Sequence, residues 1–165
     1  MVELVHLHKV HRFPLHEWGY EGFEKLDGHP EYNIIGHVQV FSQNMRKKRV
    51  IPYTALTHWD YVFAIWDVID NRWWRIGQIN RFCKRRKLGF TPVIRITEDV
   101  ISIEEIMELL ELPSHFNFDH KMEGVVVTNQ TIRLQGKAIN SLYDDTANNV
   151  ELMKQDRGEN VLEVR

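Results

Sequence analysis

Short runs of β-branched and aromatic residues, not long apolar stretches, dominate the hydrophobic pattern of this chain. The alternation of residues 2–10 predicts a strand with mixed faces. Residues 34–41 and 61–68 are rich in Val, Ile and aromatic residues, as buried strands require. Residues 124–128 and 131–139 form a further strand pair around a short polar turn. The pattern therefore predicts a strand-rich domain.

Two segments have helical periodicity. In residues 72–88 apolar side chains recur every three or four positions, Asp70 or Asn71 is placed to cap the start, and basic residues precede Gly89. The second helix begins at the capping box in residues 102–105. Its predicted apolar stripe consists of Ile103, Ile106, Met107 and Leu110, and Pro113 ends it.

Composition narrows the class of protein. The 165 residues are 43% hydrophobic and 27% charged with a net charge of −2, which fits a globular domain and argues against bulk-charge coating of nucleic acid. The single cysteine, Cys83, excludes an internal disulfide and fits a reducing compartment, and we expect it to be a small buried hydrophobe. We therefore expect one cytoplasmic domain over residues 1–165, with a core at about 20–145, no membrane segment, and a polar tail or loose helix at 144–159.

The most informative tetrapeptide is Lys25-Leu26-Asp27-Gly28. A lysine attacks a phosphorus or carbonyl centre only as the free amine. On a strand, Lys25 and Asp27 would share one face, and Gly28 would let the chain turn closely around a ligand. Taken alone, such a short motif is more often a surface strand that ends in an Asp-Gly turn.

Several further segments, which follow this motif along the chain, strengthen its interpretation. Lys-x-Asp-Gly resembles the nucleophile motif of the covalent nucleotidyltransferases, which are the DNA ligases, RNA ligases and mRNA capping enzymes. Phe41-Ser42-Gln43-Asn44 stands at the family's strand that ends in Ser-Arg-Asn, and residues 61–70 resemble its adenine-stacking strand. Residues 122–127 resemble the metal-binding Glu-Gly motif, and residues 136–143 resemble the last phosphate-binding motif. The likeness is closest to RNA ligases and spans residues 20–145.

This resemblance implies a fold and an activity. The fold is an α+β, antiparallel-sheet nucleotidyltransferase core, of the ATP-grasp-like ligase adenylylation type, with two helices. The activity is ATP-dependent: Lys25 accepts AMP, which passes to a 5′-phosphate that a 3′-hydroxyl then attacks, so that two nucleic-acid ends are sealed. The nucleotide-binding residues implied by the matching motifs are Glu24, Lys25, Asp27, Gly28, Trp66, Glu123 and Lys137.

Each of these roles agrees with the chemistry of its side chain. Glu123 offers hard oxygen ligands to Mg²⁺, with Asp27 as an indirect contributor. Lys137 would place a point charge on the phosphates. Trp66 presents a broad π face for adenine, although strand aromatics are more often core. We expect Lys25, Trp66, Glu123 and Lys137 to line one cleft.

Two departures from the family pattern keep other functions open. Gln43 replaces the arginine, and no Gly-Glu motif lies between Gly28 and Tyr61. The alternatives are a non-catalytic nucleotide- or RNA-binding module, a DNA ligase core and a GTP-using capping core, and a partner chain or domain could supply the missing contacts. The nucleic-acid partner is RNA more readily than DNA. The basic runs 46–49 and 84–87 could form a backbone track, or only a solvated loop and a helix end.

Overall fold

The computed structural model describes residues 4–6, 14–131, 134–143 and 155–163. Its described elements are β1 (Leu4–His6), β2 (Tyr20–Lys25), β3 (His29–Ile35), β4 (Val38–Asn44), β5 (Asp60–Asp67), β6 (Arg72–Trp73), α1 (Ile76–Arg86), β7 (Gly89–Phe90), β8 (Val93–Thr97), α2 (Ile103–Leu110), β9 (Pro113–Ser114), β10 (Asn117–Lys121), β11 (Gly124–Asn129) and β12 (Gln135–Ile139). Most strand pairs are antiparallel, and the described part contains two α-helices, so the predicted α+β fold is confirmed. None of these helices is long and apolar enough to cross a membrane.

The chain divides into two compact units, each made of two separate stretches of sequence. The first unit is Met1–Leu26 with Pro92–Lys154, and the second is Asp27–Thr91 with Gln155–Arg165. The boundary falls within the Lys25-Leu26-Asp27-Gly28 motif. This division does not test whether the chain is one adenylylation domain, which stays a prediction.

In the first unit, a sheet of order β1-β12-β11-β2-β8 packs on α2. The capping box predicted for α2 is present, because the Ser102 hydroxyl accepts from the Glu105 N–H and the Glu105 carboxylate accepts from the Ser102 N–H. The helix buries a narrower stripe than predicted: Ile103 and Met107 are exposed. The buried core of this unit consists of Tyr20, Ile101, Ile106, Leu109, Leu110, Met122, Val125, Val127 and Ala138.

In the second unit, a sheet of order β3-β4-β5-β6 packs one face on α1, and β7 pairs in parallel with β5. The buried core of this unit consists of Val38, Val40, Val62, Ile65, Ile79, Phe82 and Cys83. Cys83 is 2% exposed, which agrees with the prediction of a small buried hydrophobe. Burial raises the pKa of this thiol to about 11.

Two predicted elements of the second unit are wrong. The run 34–41 is not one strand, because a turn at Gly36, with φ +61°, folds it into the β3–β4 hairpin. The first helix starts at Ile76, not near residue 72, since β6 first pairs with β5 through Trp73 and Trp66. The helix ends at Lys87, whose φ of 57° is left-handed, a conformation more usual for glycine.

Other predicted boundaries are also corrected. The segment after α1 forms two strands in different sheets, β7 and β8. The pair predicted at 124–128 and 131–139 is confirmed as β11 and β12. Of the strand predicted at 2–10, the structure describes only β1, which pairs in parallel with β12. Most of the predicted tail lies outside the described residues.

Residues 155–163 are not a loose tail but a segment bonded to the loop at residues 45–56. The buried Asn160 side chain accepts from the Tyr53 N–H and donates to the Met45 carbonyl. The Arg157 guanidinium donates to the carbonyl of Arg49, and the Leu56 N–H donates to the carbonyl of Val161. We call residues 155–163 the strap, because they bind the loop at several points.

Candidate active site

The nucleophile candidate stands at the end of its strand. Lys25 is the last residue of β2 and pairs with Gly124 of β11. Its Nζ lies 2.6 Å from Oε2 of Glu123, a residue 98 positions away in the sequence. The two side chains are only 22% and 17% exposed. Sheet pairing in the first unit therefore brings the predicted nucleophile and the predicted metal ligand into direct contact.

Lys137 lies on the same sheet face as Lys25. It pairs with Val126, which pairs in turn with Phe23, two residues before Lys25. Paired residues share a face and alternate along a strand, so the Cα atoms of the two lysines are about 12 Å apart by ordinary strand spacing. Lys25, Glu123 and Lys137 thus belong to one unit, and both lysines face away from the α2 core.

Gly124 explains why a glycine must follow Glu123. A Cβ added at Gly124 would collide with the carbonyl oxygen of Ala138 on β12. The absence of a side chain lets β11 and β12 approach closely. The two residues of the Glu-Gly pair therefore have different roles. Glu123 provides the carboxylate that contacts Lys25, and Gly124 is required by the close packing of β11 on β12.

Glu24 occupies the opposite face of β2 from Lys25, as strand alternation requires. It is fully buried, and its Oε2 accepts from the His115 backbone N–H at 3.0 Å and lies 2.9 Å from the His115 ring Nδ1. Its Oε1 has no hydrogen-bond partner among the described residues. The predicted nucleotide contact of Glu24 stays a prediction.

Asp27 is held by a loop of the second unit. Its Oδ2 accepts from the backbone N–H groups of Val50 and Ile51, at 2.7 and 3.0 Å. Its own N–H donates to the Tyr53 hydroxyl, and its Oδ1 lies 3.4 Å from Nε of Arg49. In the structure, this carboxylate therefore orders the loop at residues 49–53.

The expectation that Lys25 and Asp27 lie on one strand face is wrong, because β2 ends at Lys25. The expected close packing at Gly28 is present. A Cβ on Gly28 would lie 2.5 Å from Sδ of Met45 and 2.8 Å from the Asn44 carbonyl oxygen. Only glycine fits here without displacing the backbone.

Trp66 lies in the second unit, on the sheet face opposite α1. Its ring is 5.1 Å from the Trp73 ring, which is 5.6 Å from Phe41. A bulge of β5 opposite Phe41 breaks the alternation, and Phe63 lies 6.4 Å from Phe41. Phe63 and Trp66 therefore both join this aromatic group, although simple strand alternation would place them on opposite faces.

Asp67, which follows Trp66, has a structural role. Asp67 is buried and accepts from the N–H groups of Ile69 and Asp70 and from the Trp74 indole N–H. These bonds, the one from Asp70 first, hold the pKa of its carboxyl below the usual range. Asp67 fixes the turn between β5 and β6.

Sequence reasoning missed two residues that support the first unit's site. His115, which binds Glu24, lies in the short hairpin between β9 and β10. Asn140 donates its backbone N–H to the Glu123 carbonyl and its side-chain amide to the Leu110 carbonyl. An Asn at this position of the last motif was visible in the sequence, whereas nothing local pointed to His115.

Glu123 is the metal ligand predicted from the sequence. Among the residues that the structure describes, no three His, Cys, Asp or Glu side chains are grouped to hold a metal ion. A magnesium ion that shares its coordination with substrate phosphates needs only one or two carboxylates, so one partly accessible Glu123 fits that chemistry.

The sequence model of the RNA ligase family matches residues 8–142, which is most of the chain. No curated protein matches the sequence. The segment that matches includes Lys25, Glu123 and Lys137 and ends before the strap.

Solved structures of an RNA ligase from Naegleria gruberi have a similar fold. The complex of that enzyme with PPi matches with a TM-score of 0.58 and 15% identity over 78% of this chain and 51% of that chain. A variant of it with ATP and Mn matches with a TM-score of 0.58 and 14% identity, over 82% and 53%. This chain thus spans about half the length of those structures. By its sequence match and its fold, the chain belongs to the RNA ligase family.

Proposed function

We propose that this protein is an ATP-dependent RNA ligase that forms a lysine-AMP intermediate on Lys25. The observation that carries the proposal is the 2.6 Å contact between Lys25 Nζ and Glu123 Oε2. These two residues come from separate motifs, and only the fold of the first unit joins them. Membership of the RNA ligase family supports a ligase.

The first step is a substitution at phosphorus. The Lys25 amine attacks the α-phosphorus of ATP, so that an N–P bond forms while the P–O bond to the β-phosphate breaks. Pyrophosphate leaves with the electron pair of that bond. The amine must lose a proton to attack, and in the free protein Glu123 Oε2 is an acceptor within hydrogen-bond distance of Nζ. Glu123 would release this proton to solvent before it binds the ion.

Other residues would bind the nucleotide. Lys137, on the same sheet face as Lys25, would contact the phosphates through its ammonium group. Trp66 is half-buried and would stack on adenine, a contact worth about 1–3 kcal/mol per base. Asp27 and Gly28 would act through the loops that they order, and Glu24, buried on the opposite face of β2, through the strand that carries Lys25.

A divalent ion is part of the proposal. The Naegleria gruberi enzyme was solved with ATP and Mn, and we propose Mg²⁺ for this chain, held by Glu123 and by phosphate oxygens of ATP. When bound, the ion neutralises charge that develops on the phosphates. Glu123 would then have two successive partners, the Lys25 ammonium group in the free protein and the ion in the complex.

The second half of the reaction would join nucleic-acid ends. AMP would pass from Lys25 to a 5′-phosphate, and a 3′-hydroxyl would displace AMP and seal the strand. RNA is the proposed substrate because of the family match, and RNA repair in the cytoplasm is the proposed setting. Since this chain spans about half of the matched structures, a partner chain or domain could supply further contacts to RNA.

The test is transfer of label from α-labelled ATP to the protein, followed by a denaturing gel. We expect label on the wild type with Mg²⁺ and none on Lys25→Ala, while Lys47→Ala, at an exposed lysine, keeps the label. Glu123→Gln should lose most of it. GTP in place of ATP separates a ligase from a capping enzyme.

Absence of label on the wild type between about pH 6 and 9, a range that spans the pKa values of tuned catalytic lysines, would reject the enzyme. Equilibrium binding of ATP without label would then favour the non-catalytic binding module. Label that persists on Lys25→Ala would reject Lys25 as the nucleophile.

A further inference from the structure

Positive charge is concentrated in one segment of the second unit. Residues 71–91 hold seven Lys or Arg and no Asp or Glu, whereas the rest of the chain holds 14 against 23. A total net charge of −2 therefore conceals a strongly basic segment in an otherwise acidic protein. Such asymmetry produces a local positive potential that attracts polyanions.

Helix α1 presents this charge on one side. Its buried side is Ile79, Phe82 and Cys83. At 100° per residue, the side opposite to them carries Gly77, Arg81, Lys84 and Arg85, all exposed. We call these four residues the basic helix face.

Arg81, Lys84 and Arg85 form no ion pair with any residue that the structure describes, in contrast to Arg95 and Lys121, which pair with nearby glutamates. Exposed cations without partners remain available to an external anion.

Helix stability does not account for the whole set. Lys84, Arg85 and Arg86 in the last turn complement the helix dipole. Arg81, however, lies in the middle of the helix, away from both ends. The helix dipole therefore does not account for Arg81.

We propose that the basic helix face binds the phosphate backbone of an RNA strand, an inference that rests on the proposed ligase function for the identity of the polyanion. Arg and Lys side chains are the usual partners of phosphate oxygens. Gly77 adds open space, since a Cβ placed there meets no atom within 4 Å, and so a strand can approach the helix backbone.

The surface fits RNA better than a membrane or an acidic protein. The apolar side of α1 is already buried in the core, so it cannot enter a lipid interface. Protein interfaces depend on aromatic or aliphatic anchors, and the basic helix face has none.

This surface is separate from the aromatic group that includes Trp66. Within the second unit, α1 covers one face of the sheet, while Trp66 and Phe41 lie on the other. RNA on the helix would therefore be held away from the proposed adenine-stacking residue. The surface should change the affinity for RNA and leave the reaction with ATP unchanged.

The test compares two double variants with equal change of charge. The helix variant is Arg81→Gln/Lys84→Gln, and the control is Arg95→Gln/Lys121→Gln, which removes two cations that are paired. Binding of a labelled single-stranded RNA is measured as salt is raised. Transfer of label from ATP to each protein is measured in parallel.

We expect the helix variant to bind RNA about 10- to 30-fold more weakly at about 0.1 M salt, with a slope of log affinity on log salt smaller by about 1.4. The control should stay within about twofold of the wild type. Both variants should accept label from ATP as the wild type does.

A single substitution separates binding from folding. Gly77→Glu adds a good helix former and an acidic group to the first turn, so the melting temperature should rise while RNA affinity falls. A loss of affinity with a gain in stability cannot result from unfolding.

RNA binding that is equal in the helix variant and the wild type would overturn the proposal. So would stronger binding of the wild type to polyglutamate or to phosphatidylserine vesicles than to RNA, since the surface would then serve an acidic protein or a membrane. If the wild type accepts no label from ATP and the helix variant still loses RNA affinity, the ligase function fails and the RNA-binding surface stands.

Discussion

The buried Glu24 and the exposed His115 form a carboxylate–imidazole pair, in which the histidine approaches one carboxylate oxygen twice, through its backbone N–H and its ring Nδ1. The hydrogen bond to Glu24 raises the pKa of His115, although partial burial opposes that shift. The imidazolium is therefore better stabilised in the folded protein than in the unfolded chain.

The stability of the protein should depend on pH through this pair. A histidine with a raised pKa contributes its full stabilisation below the unfolded value of about 6.5, and the contribution is lost as pH rises through the folded pKa. We expect the free energy of unfolding, measured in urea between about pH 5.5 and 8.5, to fall across that window. His115→Gln should remove this part of the pH dependence, whereas His120→Gln should retain it. An identical profile for the wild type and His115→Gln would contradict the assignment.

Two glycine substitutions should have opposite effects on stability. Gly124→Ala collides with the Ala138 backbone, and we expect a loss of about 1–3 kcal/mol in the free energy of unfolding. Gly77→Ala meets open space in α1 and should gain about 0.5–1 kcal/mol. Denaturant titration of both variants measures the difference, and equal values would show that β11 and β12 do not approach so closely.

The strap should contribute to stability through Asn160. Asn160→Ala removes the acceptor of the Tyr53 N–H and the donor to the Met45 carbonyl. Because buried backbone groups then lose their partners, we expect a loss of about 2–4 kcal/mol. The control is Glu159→Gln, whose exposed carboxylate lies 3.9 Å from Arg46 and should change stability by less than about 0.5 kcal/mol. A neutral Asn160→Ala would mean that the strap is not bound in solution.

Cys83 should resist thiol reagents in the folded protein. With burial that raises its pKa to about 11, almost none of the thiol is thiolate at neutral pH. We expect slow labelling in buffer and rapid labelling in denaturant. Fast labelling of the native protein would contradict the packing of α1 on its sheet.

The sequence predicts the fold well where the determining contacts join residues close together along the chain. The sequence predicts the capping box at Ser102 correctly because its two hydrogen bonds join residues three positions apart. It does not reveal the β3–β4 hairpin, because apolar residues continue on both sides of the turn at Gly36. For α1, the helical periodicity starts too early in the sequence because Trp73 belongs to a strand and pairs with Trp66.

Only part of the candidate site can be predicted from the sequence. Ordered motifs indicated that Lys25 and Glu123 act together, and the structure places them in contact. The pair of Glu24 with His115 and the bonds from Asn160 join residues more than 90 positions apart. Such contacts leave no periodic signal, because they depend on topology and not on local conformation.

The strap has a consequence for biosynthesis. Tyr53 and Asn160 are separated by 107 positions, so a ribosome adding about 5–20 residues per second releases the second partner about 5–20 s after the first. Until then, the buried backbone groups of the loop that holds Asp27 lack the hydrogen bonds of Asn160. We therefore expect this loop to be accessible to proteases and chaperones on the nascent chain, and to close only after residues 155–163 have left the ribosomal tunnel.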